Sequence, residues 1–177
     1  MIRNFLIFNF FIITLFIKNL SAQEYEYKLK ILKSNLNSPW SMTFINENEI
    51  IITEKIGKIK LFNIKKSKIS EINHNLNIIK DRNSQGGLLD IYYYKDQLFV
   101  SYSEKIEEKL INSSSTSIAK ADLNLDYLEF KNIFRAEPPI RSPYHFGSRI
   151  VIYNDHLYAS IGERGKGMIA QETNKHP

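Results

Sequence analysis

Three short runs carry the residues best suited to chemistry: Gln85-Gly-Gly-Leu-Leu-Asp90, His145-Phe-Gly-Ser-Arg149 and Ile161-Gly-Glu-Arg-Gly165. Each sets a polar or ionisable side chain beside glycines, where the backbone can turn tightly and another group can come close. His145 is the natural proton acceptor, because an unperturbed imidazole titrates at about pH 6.5 and serves as a base near neutrality. Glu163 could orient that imidazole and stabilise its cation, as carboxylates do in acid–base pairs generally. Gln85 offers an amide able to donate to a substrate or cofactor oxygen. A base, an acid partner and an amide anchor together suit the oxidation of a carbinol. Each residue also has a plainer reading: His145 as a hydrogen-bonded structural histidine, Glu163 as a turn carboxylate paired with Arg164 on the surface, and Gln85 as a polar turn residue.

Other candidates are weaker. Asp90 falls inside a strand, an uncommon place for an acid, and reads as capping or pairing locally. Trp40 follows Pro39 and reads as a packing residue. His74, His156 and His176 stand among polar turn residues and read as solvated. No His or Cys cluster has zinc spacing. The chain has no EF-hand loop, no phosphate-binding glycine loop opening a helix and no Gly-x-Ser-x-Gly elbow.

The elements that must position these residues are strands. After residue 25, short runs of Ile, Phe, Tyr, Val and Leu alternate with Asn, Asp, Gly and Lys clusters, and helical periodicity is scarce. Three segments predict hairpins: Met42–Ile45 with Ile50–Thr53, Leu89–Tyr92 with Leu98–Ser101, and Arg149–Ile152 with Leu157–Ser160. The turns between them hold Asn or Asp, which tolerate left-handed backbone. The hydroxyls Thr53, Ser101 and Ser160 fall at equivalent places, 48 and 59 residues apart. Further strands are expected at Lys58–Phe62 and Ser70–Ile72 after the first hairpin, and at Ser117–Ala121 and Leu128–Phe130 after the second. Glu104–Ser115, charged and then Ser-rich, reads as an inserted loop in the longer interval. A hairpin recurring at such intervals, with two more strands between copies, is the pattern of β-propeller blades. The fold class is therefore all-β, about three blades of an incomplete propeller. A small closed β-sandwich is the alternative.

Residues 1–22 are set apart from this pattern. Arg3 gives a positive start, Phe5–Ile17 is an apolar run broken only by Asn9 and Thr14, and Leu20-Ser-Ala22 precedes a polar break. That is the layout of a secretory signal peptide. The run is short of the roughly 20 residues that span a bilayer, so no stable membrane insertion is expected once it is cleaved; an uncleaved anchor is the other reading. Its loss would remove Arg3 and Lys18 and no acid, leaving 22 basic against 19 acidic side chains, a formal +3. Scattered lysines with so small an excess indicate a solvated surface, and nucleic-acid binding is not expected. Cys is absent, so stability must come from burial, strand pairing or a bound group rather than disulfides. A propeller closes with typically 4–8 blades of about 50 residues. Residues 23–177 are accordingly expected to be the N-terminal part of a longer protein, with open sheet edges that make the isolated chain marginal.

Taken in order, Ser38-Pro-Trp-Ser-Met-Thr-Phe44, Thr53-Glu-Lys-Ile-Gly57 and the three runs containing Gln85, His145 and Glu163 resemble the glucose/sorbosone dehydrogenase family of soluble quinoproteins, which includes pyrroloquinoline-quinone-dependent aldose sugar dehydrogenases. The resemblance extends from about Leu29 to Pro177, the front half of the family's domain. It implies a six-bladed propeller, exported to the periplasm or secreted, with the quinone (PQQ) and calcium in the central channel. It also implies that His145 matches the base taking the proton of the sugar's C1 hydroxyl while hydride passes from C1 to the quinone. Gln85 matches a residue lining the substrate and cofactor pocket, and Glu163 falls where many members carry an Asp supporting the histidine. Tyr144 stands where the glucose dehydrogenase branch has an Asp. The quinone-clamping Arg and Lys residues and the main Ca2+ loop are expected beyond Pro177, so this chain supplies no metal ligands of its own. A small-molecule sugar is the expected substrate; the electron acceptor is not specified. Two other functions are compatible with the fold: a non-catalytic secreted binding propeller and a calcium-dependent hydrolase of the lactonase kind.

Overall fold

The computed structural model describes residues 26–79, 81, 83–108, 111–172 and 174. The expected signal peptide and His176 lie outside the described residues. Backbone contacts divide the chain into Met1–Ile31 and Leu32–Pro177. Within the first unit, residues 26–31 carry no strand. Among the described residues all the regular structure is in the second, and it is strand apart from one 3-10 turn at Gly167–Gln171. No helix among them is long and apolar enough to cross a membrane.

The first sheet begins with β1 (Pro39–Asn46), β2 (Glu49–Glu54), β3 (Lys58–Asn63) and β4 (Lys68–His74), each antiparallel to the next. The second contains β5 (Leu88–Tyr94), β6 (Gln97–Glu108), β7 (Ile111–Asp122) and β9 (Lys131–Arg135), with the same up-and-down order. A third hairpin, β10 (Gly147–Tyr153) with β11 (His156–Ile161), opens the next repeat. These are two four-stranded blades and the inner half of a third, as the repeat predicts. Ile51, Ile59 and Ile72 of the first blade meet Leu88, Ile91, Leu98 and Val100 of the second in one buried core. Burying each such side chain stabilises the stack by about 1.5–3 kcal/mol.

Two expected elements are corrected. Glu104–Ser115 is not an inserted loop: β6 and β7 pair without interruption from Gln97↔Asp122 to Glu108↔Ile111. Its serines are the reason. Ser113 to Ser117 are all at least nine-tenths buried, and such small side chains let Ile78 bridge to Glu104 on one flank and Ile140 to Ser114 on the other. Glu104, also buried, is held by Arg135, Asn132 and Ser117; the Arg135 guanidinium pulls its pKa down against the effect of burial. The second correction concerns Leu128–Phe130. Tyr127–Leu128 forms β8, which runs parallel to β4 of the first blade, because Leu128 is fully buried in the interblade core. The fourth strand of the second blade is β9, whose exposed sequence Lys-Asn-Ile-Phe-Arg gives no burial signal.

The equivalent hydroxyls turn out to be the hinge pins of the repeat. Each inner hairpin has an irregular step near the start of its first strand, which leaves a backbone N–H unpaired. Thr53 Oγ1 accepts the Ser41 N–H at 3.1 Å, Ser101 Oγ the Asp90 N–H at 3.0 Å, and Ser160 Oγ the Arg149 N–H at 3.0 Å. The first two also donate forward into the next blade, Thr53 to the Leu89 carbonyl at 2.7 Å and Ser101 to the Ser148 carbonyl at 2.6 Å. Asp90 joins the same seam. Instead of pairing locally, its carboxylate accepts from Ser41 Oγ at 2.5 Å, the Ile150 N–H at 2.7 Å and Arg149 at 3.1 Å, linking all three blades. Thr53→Val keeps the side-chain shape but strands the Ser41 N–H and the Leu89 carbonyl. We expect it to cost the intact protein about 1–3 kcal/mol, read from the shift in urea midpoint at constant slope.

The β5–β6 and β10–β11 turns use left-handed Lys95-Asp96 and Asn154-Asp155, the geometry of type I′ hairpins. The β1–β2 turn instead relies on the Asn46 side chain, which accepts the Asn48 N–H at 2.9 Å. Trp40 is 43% exposed rather than packed away, and Met42 and Phe44, which alternate with it along the same side of β1, are exposed too. His74 is half-buried rather than solvated: its Nε2–H donates to the Gly57 carbonyl at 3.0 Å and its Nδ1 accepts the Leu76 N–H. His156 is exposed, as read.

Candidate active site

Gln85, His145 and Glu163 are brought together. Gln85 and His145 lie in the loops that lead into β5 and β10, the inner strands of consecutive blades, and Glu163 follows β11. Two hydrogen bonds tie the loops directly: the Gln85 N–H donates to the Pro143 carbonyl at 2.8 Å, and the His145 N–H donates to Gln85 Oε1 at 2.9 Å. Because a backbone N–H can only donate, the amide oxygen is the accepting atom. The Gln85 NH2 is therefore left to donate elsewhere.

His145 Nδ1 meets Glu163 Oε1. The carboxylate also accepts the Gly165 N–H at 3.2 Å. The His145 hydrogen bond is the main reason that the Glu163 pKa is held below its usual value. An ionised carboxylate fixes the proton on Nδ1 and leaves the Nε2 lone pair bare. The His145 side chain is 52% exposed, so this lone pair is open to an incoming hydroxyl. The additional methylene of Glu relative to Asp does not prevent contact.

The backbone around the pair is closely fitted. His145 has φ +48°, the left-handed region that a non-glycine residue enters only when its surroundings hold it there. Gly147, at φ +75°, passes so near the Ser160 carbonyl that a Cβ could not be placed. A Cβ on Gly162 would overlap the carbonyl of His145 itself. The glycines of the two runs thus permit β11 to return beneath the histidine. A cavity of about 650 Å3 is lined by residues adjoining the site in the chain, including Asp81, Ser84, Arg141 and Pro143, together with Lys105 and Ser113.

Arg164 was not expected in this arrangement. In place of a surface pair with Glu163, Arg164 is 3% exposed and, among the described residues, donates to no carboxylate. An arginine between a carboxylate and a glycine reads locally as a solvated turn residue; only the loops that fold over it bury it. Among the described residues, no three His, Cys, Asp or Glu side chains converge on a possible metal position.

A profile of the Glucose / Sorbosone dehydrogenase family matches residues 36–177. The chain belongs to the glucose/sorbosone dehydrogenase family. It is 26% identical over 159 residues to the aldose sugar dehydrogenase YliI of Escherichia coli (strain K12), an alignment covering 83% of this chain and 41% of that protein. Quinoprotein glucose dehydrogenase B of Acinetobacter calcoaceticus is 23% identical over 159 residues, covering 84% of this chain and 33% of the relative. The crystal structure of the apo soluble aldose sugar dehydrogenase from Escherichia coli superposes with a TM-score of 0.73 at 25% identity, covering 82% of this chain and 44% of that one. This glucose/sorbosone dehydrogenase chain therefore spans less than half the length of these relatives. All three site residues fall inside the matched segment.

Proposed function

We propose that the intact protein carrying this chain oxidises aldose sugars or related alcohols in the periplasm or outside the cell, with pyrroloquinoline quinone as hydride acceptor. The observation that carries the reading is the His145–Glu163 contact, which leaves an outward-facing imidazole nitrogen as the base. In this reaction the C1 hydroxyl gives its proton to His145 Nε2 as the C1–H bond breaks, leaving the sugar as a lactone. Glu163 balances the imidazolium charge. The Gln85 NH2 donates to an oxygen of the substrate or cofactor and so orients it relative to the base. A bound quinone supplies the two-electron acceptor for the departing hydride. The donor set fits that proton transfer, and among the described residues no three His, Cys, Asp or Glu side chains converge to hold a metal ion. A pure binding module would have no use for a base so positioned, and a metal-dependent hydrolase would need several converging oxygen ligands.

The test is reduction of an artificial dye by the intact protein, reconstituted with pyrroloquinoline quinone and calcium, across a panel of aldoses. Aldose-dependent, quinone-dependent reduction is expected. Quinone-loaded, folded protein that reduces no dye with any aldose or simple alcohol would overturn the proposal.

A further inference from the structure

We propose that Arg164 is the positioning residue of the His145–Glu163 pair, an inference that rests on the reading of this pair as catalytic. Its guanidinium donates to the carbonyls of Tyr144 at 3.0 Å, Ser114 at 2.8 Å, Ser142 at 2.5 Å and Ile140 at 3.4 Å, and to Ser114 Oγ at 2.7 Å. Its Cζ lies over the Phe146 ring, 3.6 Å from the centroid. Tyr144 and Phe146 are the two neighbours of His145, so one side chain grips the loop on both sides of the base. The main chain of Arg164 adds a third hold, its N–H donating to the His145 carbonyl at 3.2 Å. Arg164 is also the next residue after Glu163. One residue therefore fixes the backbone of the base and, through the peptide bond, that of its carboxylate partner.

Burying a guanidinium without a counter-ion is costly, and such groups persist where hydrogen bonds compensate them. Burial lowers the Arg164 pKa to about 10, which still leaves the group charged at neutral pH, with carbonyl dipoles facing it. The requirement is for a planar fork that donates in several directions while its central carbon sits over a ring. Lysine, a point charge with three donors, meets this only in part. The left-handed conformation of His145 supplies the reason for so many restraints, since the loop would otherwise relax out of it. A misplacement of about 1 Å in a reacting group can cost about 100-fold in rate.

The experiment uses Arg164→Lys and Arg164→Met in the intact, quinone-loaded protein. A fall in kcat of about 10- to 100-fold with KM within about twofold is expected for Arg164→Met, and partial recovery for Arg164→Lys. A second readout needs no substrate: the carbon-13 titration of the Glu163 carboxyl, whose midpoint should rise toward the ordinary value of about 4.3 once His145 is no longer held against it. Wild-type kcat with an unshifted Glu163 midpoint in a folded Arg164→Met protein would overturn the proposal, and so would a change confined to KM. If Arg164→Met does not fold, Arg164→Lys decides by the same two criteria. If the wild-type protein shows no dehydrogenase activity, the proposed function fails, while the Glu163 titration still decides whether Arg164 positions the pair.

Discussion

Removing the imidazole of His145 is expected to lower kcat of the intact, quinone-loaded protein by about 10²- to 10⁴-fold, the range for loss of a positioned general base. Two substitutions separate this from a folding defect. His145→Ala deletes the base outright. His145→Asn deletes it with a side chain that tolerates the left-handed backbone at this position. Because the imidazole is half exposed and, among the described residues, hydrogen-bonds through its side chain only to Glu163, stability should change by no more than about 1 kcal/mol. Both variants should therefore fold, bind substrate and turn over slowly. A wild-type rate in either, measured by dye reduction at saturating aldose, would sink the assignment of His145 as the base.

The second large effect comes from a residue with no side chain. Gly162→Ala would drive a methyl group into the His145 carbonyl and to within 2.9 Å of the Gly147 nitrogen. Neither contact is a flexible side chain that could swing aside, so the backbone of one loop must move. Overpacking of this kind costs about 1–3 kcal/mol. The consequence for chemistry is greater than for folding, because the displaced atom belongs to the base. We expect kcat to fall about 100-fold, in line with displacement of a reacting group by about 1 Å, with a modest drop in melting temperature. Thermal unfolding by circular dichroism beside steady-state kinetics separates the two effects. Equal kcat in a well-folded Gly162→Ala protein would show that the His145 loop has slack that the close approach of these backbones does not suggest.

Much of the fold is legible because the blade repeat writes itself in burial. The inner hairpins of each blade alternate β-branched and aromatic residues around Asn or Asp turns, and Thr53, Ser101 and Ser160 mark equivalent places whose reason emerges only in three dimensions. What is not legible depends on long-range partners. Leu128 belongs to the first blade because its side chain fits an interblade core more than 50 residues away in the chain. β9 is an exposed edge strand with no apolar alternation to reveal it. The serine run from Ser113 to Ser117 resembles a flexible loop in composition, yet its small side chains are what two flanking segments need in order to pack.

The candidate site shows the same division. Gln85, His145 and Glu163 can be singled out because each is an ionisable or amide side chain set beside glycines, and the structure joins Gln85 to the His145 backbone and the His145 ring to Glu163. Arg164 escapes notice for a physical reason: a guanidinium is expected in water, and only carbonyls from Ser114, Ile140, Ser142 and Tyr144, distant in sequence, make its burial tolerable. Asp90 is similar, since a carboxylate inside a strand has meaning only once Ser41, Arg149 and the Ile150 N–H are seen to surround it.

The most direct test of sugar oxidation through His145 is the dye-reduction assay run side by side on the intact wild-type protein and its His145→Ala variant, both folded and loaded with pyrroloquinoline quinone and calcium. Aldose-dependent reduction by the wild type, abolished without the quinone and reduced at least about 100-fold by the substitution, is the expected result. No reduction by the loaded wild type, or equal rates in the two proteins, would contradict it.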